Sequence, residues 1–184
     1  MTLEAGAGGL GTMDAFHLAQ INTARLRAPL TDPSMADFVE GLTRMNELAD
    51  RSPGFVWRLE GDNGDGTIAR PADPLRIYTL SVWETPEHLR AYAYQSEHLD
   101  YLRRRREWFH PNGSEAALVL WWVPAGTTPT LRQGISRLDR LRAGGPTPEG
   151  FTFRQMFPAP AVRRAPSPER LAREEGTAPE PSPL

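Results

Sequence analysis

His98 is the residue whose type and setting most invite chemistry. At helical spacing Tyr94, Leu102, Arg105 and Phe109 fall at i−4, i+4, i+7 and i+11 from it, so one stripe joins apolar side chains to an imidazole and a guanidinium. An imidazole titrates near neutral pH and can serve as general acid or base, or as an axial iron ligand. In an apolar wall with a few convergent polar groups it suits a small-molecule pocket. The plainer reading is a helix histidine held by a structural hydrogen bond. Arg105 belongs to four successive arginines, 103–106, which at about 100° per residue point almost all round a helix. If that helix packs on a sheet, at least one of them must pair with a carboxylate such as Glu107 or grip an anionic ligand. The alternative is a solvated basic face with one structural ion pair.

Asn22, with Gln20 on the same face of a strand, brings amides into a segment otherwise suited to burial. Buried amides need partners, and a ligand carbonyl or peroxide could be one. Trp57, Tyr78, Trp83 and Trp108, with Trp121 and Trp122, are enough aromatics to wall a cavity for a planar substrate, although such residues more often fill a core. The expected site has His98, Arg105 and Asn22 as catalytic groups in one cavity between sheet and helix. Trp57, Tyr78, Trp83 and Trp108 are its expected ligand-binding wall.

Other chemistries lack their residues. The 184-residue chain has no Cys, hence no disulfide framework, thiolate metal site or cysteine nucleophile, and all 21 basic residues are Arg, which excludes Schiff-base and lysine-base chemistry. His17, His88, His98 and His110 form neither an H-x3-H nor an H-E-x-x-H pattern, so no non-haem metal site is expected. Asp62–Gly66 fails the EF-hand spacing, and Gly6–Gly11 follows no strand and so is no dinucleotide fingerprint. A net charge of −2 offers no bulk attraction to nucleic acid or an anionic membrane. No run approaches the roughly 20 apolar residues of a membrane helix, and residues 1–12 lack the basic flank and apolar stretch of a signal peptide, so a cytoplasmic protein is expected.

The elements that must position these groups are legible. Residues 15–23 alternate as a strand, and Ser34 is the expected N-cap of a helix to Asp50, with Met35, Phe38, Val39, Leu42 and Met45 at helical spacing. Residues 54–60 and 75–83 read as strands joined by a long hairpin loop. Thr85-Pro86-Glu87 starts a second helical region that runs to about Phe109 with a break near Gln95-Ser96. Residues 116–123 form a further strand, 130–142 a shorter amphipathic helix ended by Gly144-Gly145, and 151–157 an extended edge segment. Residues 1–13 read as a flexible segment, 14–157 as the domain and 158–184 as a disordered Pro-rich tail. The order β-α-β-β-α-β is the split βαβ, ferredoxin-like arrangement of the α+β class, with helices on one face of an antiparallel sheet. Because residues 118–123 are apolar on both faces, the second sheet face needs a cover, and the simplest is a second copy in a homodimer.

Three stretches, HLAQINTARLRAPLTDP, SVWETPEHLRAYAYQSEHLDYLRRRREWF and LWWVPAGTTPT, resemble the bacterial family DUF3291 over about residues 15–158. More distantly they resemble the antibiotic biosynthesis monooxygenases of the dimeric α/β-barrel superfamily. That resemblance implies the fold and a pocket between sheet and helices, but it does not choose among cofactor-free oxygenases, haem proteins, isomerases and cyclases. The leading expectation is a small-molecule tailoring enzyme acting on an aromatic or polyketide-like substrate without flavin or nicotinamide. The alternative is a non-catalytic ligand- or haem-binding dimer using the same cavity, with His98 as the haem ligand. A third option is a structural dimer whose cavity is filled by side chains.

Overall fold

The computed structural model describes residues 16–61, 68–70 and 73–161. Strand β1 (Phe16–Arg25) leads through a 3-10 turn at Pro33–Met35 into α1 (Ala36–Asp50), then β2 (Phe55–Arg58), β3 (Ile68–Arg70) and β4 (Asp73–Trp83). Helices α2 (Pro86–Gln95) and α3 (His98–Trp108) follow, then β5 (Leu118–Pro124) and α4 (Leu131–Gly144). The sheet runs β2-β4-β1-β5 with β3 also paired to β4, and these neighbours all pair antiparallel. Leaving aside the short β3, this is the ferredoxin-like strand order, with β1 at the centre. The N-terminal segment and nearly all of the Pro-rich tail lie outside the described residues.

Local chemistry sets the helix ends. Thr85 accepts a hydrogen bond from the His88 N–H and Pro86 opens α2, while Thr130 and Gln133 cap the start of α4 reciprocally. Ser34 does not cap α1. It lies inside the 3-10 turn, whose cap is Asp32, the acceptor for the Ser34 N–H and hydroxyl. Phe151 pairs with Leu120 and so extends the β5 edge, as the sequence suggests.

The two sheet faces carry separate cores. On one, Leu18, Trp83, Leu89, Leu120 and Phe151 form an apolar cluster, and Leu26, Met35, Phe38, Ile77 and Trp108 form a second under α1 and α3. On the other, Ala19, Ile21, Leu80, Val82, Val119 and Trp121 pack against Leu138 and Leu141 of α4. The helices of the split βαβ unit thus share one face, as expected, and the extra helix covers the other. A Cβ on Gly134 would sit 2.8 Å from the Ile21 Cδ1, so the backbone of α4 approaches the sheet where glycine permits it. The apolar second face, assigned from sequence to a partner copy, is buried by the chain's own α4.

Candidate functional site

The face under α1–α3 is interrupted by a polar row. Side chains alternate along a strand, so Leu18, Gln20, Asn22 and Ala24 of β1 share this face with Trp83, Ser81, Thr79 and Ile77, their register partners on β4. Leu18 and Trp83 belong to one apolar cluster and Ile77 to the other. Between them lie Gln20, Asn22, Thr79 and Ser81. The Gln20 Nε2 and the Trp83 Nε1 each donate to the Ser81 Oγ at 2.9 Å. Gln20 and Ser81 keep 8% and 9% exposure. Asn22 is exposed and makes no side-chain hydrogen bond among the described residues, although β4 and β5 flank it on both sides. A side chain in a central strand reaches solvent only through its own face, so the helix layer is open above Asn22.

His98 is held at the break between α2 and α3, on the same side of the sheet as this row. Tyr92 of α2 packs in the first cluster and Tyr101 of α3 in the second, so the junction between the two helices spans the gap separating them. Ser96 makes the break: its hydroxyl donates to the Tyr92 carbonyl and accepts from the His98 N–H. The imidazole packs on Tyr92 at 4.8 Å between ring centroids, Tyr92 stacks on Trp83 at 5.0 Å, and Trp83 meets Phe55 edge-on at 5.3 Å. The Tyr92 hydroxyl donates to the Met45 carbonyl of α1, and burial raises its phenol pKa. The His98 Nδ1 lies 3.3 Å from the Ala93 carbonyl. Since a carbonyl only accepts, Nδ1 carries the proton and Nε2 keeps a lone pair. Burial lowers the His98 pKa, against a smaller opposing contribution from that hydrogen bond, and keeps the ring neutral at pH 7.

The structure brings His98, Trp83 and Asn22 to the same side of the sheet and separates the others. Trp57 and Tyr78 lie on the opposite face, packed in the core under α4, because their register partners Val82 and Thr23 point that way. The sheet itself stands between them and His98. Trp108 is on the correct side but lies in the second apolar cluster, stacked on Tyr101 and tilted against Phe38. Arg105 is exposed with no ion pair among the described residues, about 10 Å along α3 from His98 at 1.5 Å per residue. All four arginines of the run are exposed. The expected carboxylate pairing falls to Arg104, which bonds Glu107 and Asp37 and covers the Trp108 ring at 4.8 Å, and to Arg103, which bonds Asp100. Tyr94 is 49% exposed and meets Phe153 edge-on, because the break at Ser96 cancels its i−4 relation to His98.

Three residues of the site escape the helical stripe: Tyr92, Thr79 and Ser81. The strand residues carry a signal, since Thr79 and Ser81 interrupt LRIYTLSVW at alternate positions in register with Asn22 and Gln20. Tyr92 carries none, because it reaches His98 across the break.

The family model "Domain of unknown function (DUF3291)" matches residues 17–167. The chain belongs to the DUF3291 family. No curated protein matches it. Among solved structures it is similar to SnoaB, a cofactor-independent oxygenase from Streptomyces nogalater, at 16% identity over 62% of this chain and 97% of that one, with a TM-score of 0.43. It is similar to PA3566 from Pseudomonas aeruginosa at 15% identity over 64% and 100%, TM-score 0.43. A monooxygenase from the gene ActVA-Orf6 of Streptomyces coelicolor, in complex with the ligand Nanaomycin D, matches at 14% identity over 63% and 93%, TM-score 0.39. These likenesses carry no reaction across to this DUF3291 chain, whose fold assignment rests on its own strand order. Among the described residues no helix is long and apolar enough to cross a membrane, and no group of three or more His, Asp or Glu could hold a metal ion.

Proposed function

We propose that this chain is a small-molecule tailoring enzyme of the monooxygenase-like type, binding a planar, oxygen-bearing ring over the polar row and starting its reaction by proton abstraction. The observation that carries the reading is Asn22: an amide with no protein partner among the described residues, exposed in the middle of a helix-covered sheet face, between two apolar clusters. Water solvates that exposed amide when the opening is empty, and a ligand oxygen would take the water's place. The neutral His98 with a free Nε2 lone pair is suited to be the general base, taking a proton from an acidic hydroxyl or carbon of the ligand. That first step is common to oxygenase, cyclase and isomerase chemistry and needs neither flavin nor nicotinamide. The reading requires no second copy, since every residue it uses comes from one chain.

Solvent exchange at the acidic position tests it. In deuterated buffer, a panel of hydroxylated naphthalenes and anthracenes should exchange an acidic C–H faster with the native chain. His98→Ala should lower that rate by roughly 10²–10⁴ while ligand still binds. The reading fails if no panel member binds at millimolar concentration, or if His98→Ala exchanges as fast as the native chain. A Soret band on adding haem, lost in His98→Ala and unaccompanied by exchange, would instead establish the carrier alternative.

A further inference from the structure

We infer that Ser81 and Asn22 form a donor pair that holds one carbonyl or enolate oxygen of the ligand, making the site selective for ketone- and quinone-bearing rings over plain hydrocarbons. The inference rests on the reading that a ligand occupies the opening above Asn22, and it names what that ligand must carry.

The argument begins with the valence of one hydroxyl. A serine oxygen has one proton to donate and two lone pairs with which to accept. Both acceptor positions of Ser81 are taken, by the Gln20 Nε2 and the Trp83 Nε1. An indole N–H can only donate, and Trp83 is 0% exposed and wedged between Phe55 and Tyr92, so its N–H has no freedom to turn elsewhere. The Ser81 proton must therefore point away from both neighbours, and among the described residues no protein acceptor takes it. The fold holds a hydroxyl donor in fixed orientation and leaves it unused.

Asn22 stands beside it. Gln20 is opposite Ser81 and Asn22 is opposite Thr79, so Ser81 and Asn22 are diagonal neighbours on one sheet face. Such diagonals lie about 7 Å apart, so an oxygen seated between them can accept from both at about 2.8–3.0 Å each. Gln20, Asn22, Thr79 and Ser81 are all uncharged, and burial keeps His98 neutral, so the row suits an oxygen of partial negative charge better than a carboxylate or phosphate. Donors oriented in advance by their neighbours stabilise negative charge that develops on a bound oxygen. The enolate left when His98 removes a proton carries its charge there.

Paired probes test this: 1,4-naphthoquinone, which has no cysteine to alkylate in this chain, and naphthalene, the same ring system without oxygens. Binding is read by tryptophan fluorescence, and the quinone C=O band by infrared difference spectroscopy. The quinone should bind the native chain about tenfold more tightly than naphthalene, the increment expected of two neutral hydrogen bonds, with its C=O band shifted to lower frequency. Asn22→Ala and Ser81→Ala should each weaken quinone binding several-fold, leave naphthalene binding unchanged and move the C=O band back toward its position in solution. Asn22 has no side-chain hydrogen bond among the described residues, so its variant remains informative even if Ser81→Ala, which strips the Trp83 N–H of its acceptor, fails to fold. Equal affinities for the two probes with an unshifted C=O band overturn the donor pair and leave the ligand opening standing. Failure of both probes to bind overturns the pair and the opening together.

Discussion

At the scale of single residues, His98 shows how a fold sets protonation. Its Nδ1–H is engaged with the Ala93 carbonyl, its ring lies on Tyr92, and burial holds its pKa below the ordinary value. A histidine whose folded pKa is depressed makes the unfolded state the better proton acceptor. Stability is then full above about pH 6.5, the unfolded value, and declines as pH falls toward the folded pKa. His98→Gln removes the titration, so the thermal midpoint of that variant should change less between pH 7 and pH 5 than that of the native chain. Parallel midpoints across the range would refute the assignment. Arg105 illustrates the opposite case. Its type and spacing place it on the His98 stripe, but periodicity reports direction around a helix and not depth, and Arg105 ends exposed beyond the edge of the site.

Helix α4 shows most clearly, among the elements, what the sequence carries and what it hides. The Leu131, Ile135, Leu138 and Leu141 stripe announces an amphipathic helix, and the reciprocal cap at Thr130 and Gln133 fixes its start. Its destination is not written there, because an apolar stripe says that a face is buried and not against what. The one local clue is Gly134, a poor helix former in mid-helix, which the structure explains by the close approach to Ile21. Gly134→Val should cost about 1–3 kcal/mol through overpacking plus lost helix fit, measured as a lower denaturation midpoint. An unchanged midpoint would mean that α4 does not pack as closely as described. The break between α2 and α3 was legible near Gln95-Ser96, but its effect on the stripe was not. Once the helix is cut, Tyr94 and His98 no longer share a face, and Tyr92 takes the neighbouring place instead.

Taken whole, the molecule is one sheet between two unequal helix layers. The strands were readable from composition, and their order follows from the split βαβ pattern. Trp57 and Tyr78 lie on the α4 face, and strand parity alone does not tell which face meets which helices. If α4 is what shields the second face, Leu138→Asp with Leu141→Asp should release it and expose Ile21, Leu80, Val119 and Trp121. That variant is expected to self-associate more strongly than the native chain in sedimentation, since a large uncovered apolar patch drives association. Identical sedimentation of the two chains would show that α4 is not the shield. The polar row has a mechanical consequence of its own. It parts the layer of α1–α3 into two blocks, one gathered around Leu89 and Tyr92, the other around Tyr101 and Trp108, with α1 as the beam that touches both through Ala49 and Phe38. If the blocks, joined at the Ser96 break and through α1, open separately, their amides should trade hydrogen for deuterium on separate clocks. On the proposed reading, a guest lodged between them would work as mortar, and its arrival should slow the two clocks together.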